Sequence, residues 1–171
     1  MIKHQADITE LTSLTTSDIE QLAGLLKNVV DDGASIGFLA PLQLDEASDY
    51  WHHALQSGVQ LWVAHMNNQI VASVQLHLAQ KSNGLHRAEV AKLMVHTDYR
   101  RNGLARLLME HLEQRAVSEQ RTLLILDTRS GDPSNDLYQS LGFKTAGVIP
   151  KFALSSSGEF EDTVLYYKEL T

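Results

Sequence analysis

At 171 residues, 43% apolar and 20% charged, with ten glycines and three prolines, the chain has the size and composition of one soluble folded unit spanning residues 1–171. A net charge of −7 excludes a general nucleic-acid binder, which needs a basic face to displace counterions, and suits a cationic partner. The absence of cysteine excludes a disulfide framework, a thiolate metal site and a cysteine nucleophile, and fits a reducing compartment.

Residues 2–9 read as a first strand. Ser17 or Thr16 offers an N-cap to a helix whose apolar positions Ile19, Leu22, Leu25, Leu26, Val29 and Val30 recur at helical spacing. GASIGFLAP is a loop ending at Pro41, and a second helix is expected from about Leu44 to Gln56, closed by Gly58. VQLWVAHM and QIVASVQLHLA flank an Asn67-Asn68 turn and read as a hairpin. After the loop KSNGLH, AEVAKLMV is a further strand. Helix 102–118 follows, with Leu104, Leu107, Leu108, Leu112 and Ala116 on one side. TLLILDT, a short continuous apolar run, predicts a strand buried on both faces. SNDLYQSLG reads as a compact helix, FKTAGVI as a strand, IPKFALSSSGEF as a late loop and EDTVLYYKEL as the last strand. Strands and helices in this order imply an α/β fold, a mixed sheet covered by helices. The stretch MIKHQADITEL lacks the apolar core of a secretion leader, and no segment approaches ~20 uninterrupted apolar residues, so a cytoplasmic location without membrane contact is expected.

Residues 100–106, RRNGLAR, are chemically odd for a helix start. Cations at a helix N-terminus are unfavourable by about 0.3–1 kcal/mol each, and glycine in a first turn costs roughly 1 kcal/mol against alanine. An anion held there would compensate: backbone N–H groups point outward, Gly103 lets a ligand approach, and the arginines add charge-assisted bonds. Neither a P-loop nor a three-glycine dinucleotide turn is present.

The stretch KLMVHTDYRRNGLARLLMEHLEQRA resembles the acetyl-coenzyme A motif of the GNAT superfamily of N-acetyltransferases, Q/R-x-x-G-x-G/A, with Arg100, Gly103 and Ala105 in its defining places. LLILDTRSGDPSNDLYQSLGFKTAG is similar to that family's second motif, and the element order agrees along the whole chain. The implied fold is a central twisted, mostly antiparallel sheet flanked by helices. Within the superfamily the chain looks closest to the tabtoxin-resistance type, which implies acetylation of an amino-acid-like antibiotic; a housekeeping metabolite is equally compatible.

The resemblance implies acetyl-CoA as cosubstrate, with no metal. Main-chain groups of Leu93, Met94 and Val95 are expected to pair with the pantetheine arm. The segment Arg100, Arg101, Asn102, Gly103, Leu104, Ala105 and Arg106 is expected to bind the nucleotide end, its amides from Arg101 through Arg106 cradling the pyrophosphate. Asn135 is expected to bond to the pantetheine arm and Tyr138 to sit beside the sulfur.

Acetyl transfer needs a neutral amine, whereas a lysine-like amine has a pKa near ~10.4, so a carboxylate must take a proton. On an ideal strand Glu89 shares a face with Ala91, Leu93 and Val95, where burial should raise its pKa; a bulge would change that parity. Asp127 ends LLILD at the mouth of a strand, with the parity of Leu123 and Ile125. Glu89 is expected as general base, Asp127 as partner or ammonium holder, and Tyr138 as the acid that protonates the leaving thiolate. Ser35, Phe38, Tyr50, Trp62 and Phe152 could line an acceptor pocket. The eight histidines show no metal spacing. An acyl-CoA-binding sensor and a protein N-terminal acetyltransferase are the alternative functions, and an exposed final strand could pair with a second copy to make a homodimer.

Overall fold

The computed structural model describes residues 6–171. Strand β1 (Asp7–Glu10) opens the described chain, and the part of the expected first strand at residues 2–5 lies outside the described residues. Helix α1 (Thr16–Asp31) starts one residue earlier than either expected cap allows. Thr15 is the N-cap, because Asp18 reciprocates: the Asp18 amide donates to Thr15 Oγ1 at 3.1 Å and the Thr15 amide to Asp18 Oδ2 at 2.9 Å. Helix α2 spans Leu44–His52, shorter than expected. Strands β2 (Val59–Met66) and β3 (Gln69–Leu78) form the hairpin, and Asn67 and Asn68 both take positive φ, 51° and 62°, as a tight hairpin turn demands. Then come β4 (Arg87–Val95), α3 (Leu104–Ser118), β5 (Leu123–Arg129), α4 (Ser134–Ser140), β6 (Lys144–Leu154) and β7 (Phe160–Glu169).

The seven strands make one sheet in the order β1-β2-β3-β4-β5-β7-β6. Every pairing is antiparallel except β4 with β5. Alternation along the strands divides the core. Leu61, Val63 and Ile70 face α1 and α2, packing on Leu22, Leu26 and Trp51. Trp62, Ala64, Val74 and Leu76 face the other way, onto Leu104, Leu108 and Leu112 of α3. Each such fully buried aliphatic side chain contributes about 1.5–3 kcal/mol relative to exposure, so both helical layers are held by their apolar stripes.

Three expectations need correction. Strand β5 is buried on one face only: Leu124 and Leu126 are covered, while Leu123, Ile125 and Asp127 lie on a face that stays partly open. Most of the expected late loop is strand, because β6 runs on to Leu154 and only Ser155–Glu159 turn before β7. The final strand is not a free edge. Strand β7 lies between β5 and β6, which leaves β6 as the outer strand.

Candidate active site

Strands β4 and β5 pair only over Arg87–Glu89 and Leu123–Ile125. Beyond that point they part, and a cleft of about 880 Å³ opens between Ala91–Val95 on one wall and Asp127–Arg129 on the other. That volume is large for a small-molecule site, which typically measures about 300–1,000 Å³. Further lining comes from Ser35–Gly37 of the α1–α2 loop, the start of α3, Tyr138 of α4, and Phe152 of β6.

A bulge shapes the β4 wall. Gln75 pairs with Ala91 but Ser73 pairs with Met94, so Val74 alone stands opposite Lys92 and Leu93. Lys92 accordingly takes φ +52°. Two consequences follow from the extra residue. The backbone at 92–93 leaves the β3 ladder, where it can meet a ligand in the cleft. The parity of the strand also flips, so Leu93 and Val95 pack with Val90 in the α3-side cluster while Met94 joins the α1–α2 cluster. Glu89 therefore does not share a face with Leu93 and Val95, as an unbulged strand would have it.

At one end of the cleft stands the N-terminus of α3. Its N-cap is Gly103, at φ +77°, and no side chain caps the helix. The first-turn amides are thus left for a ligand, and the first turn holds no acidic residue to compete. A Cβ at Gly103 would meet no protein atom within 4 Å, so the space beside it is open. The arginines are less frustrated than their sequence suggests. The helix begins at Leu104, so Arg100 and Arg101 precede it; Arg100 pairs with Asp32 at 2.7 Å, and Arg106 donates to Ser140 Oγ at 2.7 Å. Asn102 turns away from the cleft and donates to the carbonyls of Tyr99 and Arg100.

Asn135 is also spent internally. Its amide nitrogen donates to the Arg129 and Asp132 carbonyls at 2.9 and 2.8 Å, and its oxygen accepts from the Tyr166 hydroxyl at 2.8 Å. Within the protein this side chain ties the first turn of α4 to the exit of β5.

The three expected chemical groups line the same cleft. Burial, aided by the Asp127 carboxylate, raises the Glu89 pKa above the usual carboxylate range; Lys92 and Arg87 oppose the rise. Asp127 accepts a hydrogen bond from the Thr163 hydroxyl at 2.9 Å, which fixes one of its oxygens. The Tyr138 side chain is 6% exposed, packs edge-on to Phe143, and has no hydrogen-bond partner for its hydroxyl among the described residues. Burial, then Asp132 and Asp127, hold its pKa far above that of an ordinary phenol, so the proton stays on.

Of the expected pocket residues, Ser35 and Phe152 line the cleft. Trp62 is buried in the α3-side core, and Phe38 and Tyr50 pack edge-on to each other, centroids 5.4 Å apart, beneath Lys92. Two functional-looking residues had no local signal. Nothing in AEVAKLMV singles out Lys92, and nothing in LLILDTRSG singles out Arg129. In the fold, Arg129 donates to the Gly33 carbonyl at 2.9 Å and pairs with Asp132 at 3.1 Å, strapping the α1–α2 loop to β5. Among the described residues no cluster of histidine, aspartate and glutamate has the makings of a metal site, and no helix is long and apolar enough to cross a membrane.

Solved structures with this architecture are numerous, and three illustrate it. Ribosomal-protein-alanine N-acetyltransferase from Brucella melitensis is 20% identical, with 95% of this chain and 99% of that chain covered and a TM-score of 0.78. A protein assigned as a phosphinothricin N-acetyltransferase is 18% identical over 96% and 99% of the two chains, with a TM-score of 0.80. The yncA protein of Salmonella typhimurium, solved with its cofactor acetyl-CoA, is 17% identical over 98% and 95%, again with a TM-score of 0.80. These likenesses establish the fold. The profile of the acetyltransferase (GNAT) family matches residues 26–143, a span that runs from the last turns of α1 through α4 and carries both strand walls of the cleft. With its splayed β4–β5 gap, uncapped α3 and matched family profile, the chain belongs to the acetyltransferase (GNAT) family.

Proposed function

We propose that this protein transfers an acetyl group from acetyl-CoA directly to the primary amine of a small molecule. The carrying observation is that Glu89, Asp127 and the unpartnered Tyr138 hydroxyl line one cleft whose far end is an uncapped helix start. The open space at Gly103 and the free first-turn amides suit a diphosphate ester. Main-chain groups of Leu93, Met94 and Val95, left without a β5 partner where the two strands part, are the partners for the pantetheine arm, and the amides of Arg101 through Arg106 those for the pyrophosphate. When bound, the coenzyme supplies an acetyl thioester.

The chain's own residues do the proton work. Glu89, with its raised affinity for a proton, takes one from the acceptor ammonium. Asp127, held by Thr163, orients that ammonium. The departing thiolate, whose conjugate thiol has a pKa near that of cysteine, about 8.5, takes its proton from the Tyr138 hydroxyl, which lines the same cleft. Asn135 holds α4, and hence Tyr138, against β5. Without cysteine no acyl-cysteine step is open, which supports transfer within a ternary complex.

The resemblance to the tabtoxin-resistance type favours an amino-acid-like antibiotic as acceptor, hence a resistance role in the cytoplasm. The outer strand β6, with Val148, Ile149 and Phe152 exposed, is the edge at which a second copy would pair. The test is thiol release from acetyl-CoA across amino acids, β-lactam amino acids, polyamines, aminoglycosides and N-terminal peptides. Release with a free amine supports the reading. Coenzyme binding without release on any amine would leave an acyl-CoA sensor, and release on peptides alone a protein N-terminal acetyltransferase.

A further inference from the structure

Lys92 is used by neither the coenzyme contacts nor the proton transfers above, yet it is a closely held cation in the cleft wall. It sits at the bulge with positive φ, on the cleft wall, half-buried. A lysine taken out of water must recover its solvation from the protein. Here its Nζ donates to the Ile36 carbonyl at 2.8 Å and lies 5.8 and 5.6 Å from the ring centroids of Phe38 and Tyr50. Gly37, at φ +97°, gives the loop its turn beside Lys92, in a conformation other residues rarely adopt. So the α1–α2 loop, α2 and the β4 bulge all meet at one ammonium.

We propose that Lys92 is a positioning residue for acetyl transfer, its ammonium pinning the α1–α2 loop over the β4 bulge and supplying the counter-charge that lets Glu89 and Asp127 face one acceptor amine. This rests on the function proposed above. Two nearby carboxylates repel, and Asp127 makes Glu89 harder to ionise. Burial sets the direction for Lys92 and lowers its proton affinity, Asp127 and then Glu89 oppose that fall, and Glu89 in turn feels Lys92. The other charged or titratable groups around this centre are Arg87 on β4, His77 on β3, whose protonation burial and Lys92 both oppose, and the Tyr50 hydroxyl on α2, engaged with Gln75. Arg129 on the far wall is committed to Gly33, Glu161 and Asp132. Arg87 acts on Glu89, whereas Lys92 is coupled to both Glu89 and Asp127.

The test compares wild type, K92M and K92R by carbon-detected NMR titration of the Glu89 carboxyl, by the pH profile of acceptor kcat/KM, and by calorimetry with acetyl-CoA. Methionine keeps the chain's contact with the rings but loses the charge and the bond to Ile36. In K92M the Glu89 midpoint moves up by about one pH unit. The acidic limb of the profile moves with it, and acceptor KM rises about tenfold on loss of the charged hydrogen bond. K92R restores the midpoint, and acetyl-CoA affinity is unchanged throughout. An unmoved Glu89 midpoint in folded K92M overturns the proposal. Should K92M fail to fold, the reciprocal titration decides: in E89Q the Lys92 ammonium titrates lower than in wild type, and no change there is equally fatal. Both titrations read the apoprotein, so absent turnover would defeat the acetyltransferase reading and leave the Lys92 result standing.

Discussion

Gly103→Ala separates what the fold needs from what the ligand needs at one position. Gly103 holds φ +77°, a conformation that costs an L-residue roughly 1–2 kcal/mol. Alanine also restricts the unfolded chain, which returns about 0.4–1 kcal/mol. No protein atom lies within 4 Å of the new Cβ, so no clash adds to the difference. The net destabilisation is about 0.5–1 kcal/mol, a fall in Tm of about 1–4 °C for a chain of this size. A coenzyme phosphate seated on the α3 amides would meet that methyl group directly. Isothermal calorimetry should therefore show acetyl-CoA Kd rising at least about tenfold, or 1.4 kcal/mol, more than the fold itself loses. A variant with the small Tm shift and wild-type Kd would refute the placement of the pyrophosphate at α3, because the backbone of residue 103 would then have no ligand against it.

Glu89→Gln should lower kcat/KM by about 10²–10⁴-fold, the usual worth of a positioned base, with acetyl-CoA affinity retained. It also has a stability signature. Because the folded pKa of Glu89 is raised, this group favours the fold below its ordinary carboxylate value and loses that contribution as pH rises through the folded pKa. E89Q should thus melt higher than wild type at neutral pH, with the two curves converging at acid pH; a lower neutral Tm for the variant contradicts the raised pKa. Tyr138→Phe removes no protein hydrogen bond, so Tm should hold while kcat falls by about 10²-fold or more; full activity would show that the hydroxyl does not reach the thiol. Thr15→Ala deletes the reciprocal cap of α1 and should cost about 0.5–2 kcal/mol in urea unfolding, with kinetics unchanged.

Local pattern determined a good deal. The stripe from Ile19 to Val30 needs no partner to declare a helix, and Asn67-Asn68 between two apolar runs declares a hairpin, because helix periodicity and turn conformations are properties of neighbouring residues. The same holds for the α3 start: glycine at 103 and the cations around it carry the family's signature within seven residues. Asp127 at the mouth of β5 was legible too, since its parity follows from Leu123 and Ile125 just before it. What the sequence could not contain was register. The bulge at Lys92 exists because Ser73 and Gln75 on another strand choose Met94 and Ala91, and that choice flips which neighbours Glu89 keeps. The half-open face of β5, the interior place of β7 and the internal commitment of Asn135 depend likewise on which elements come to lie beside them. Lys92 is the sharpest case: nothing in AEVAKLMV marks it, and only the α1–α2 loop folding back from more than fifty residues away makes a plain strand lysine the meeting point of loop and bulge. Short-range sterics and hydrophobic periodicity fix elements; long-range pairing, which local sequence does not encode, decides where their charges meet.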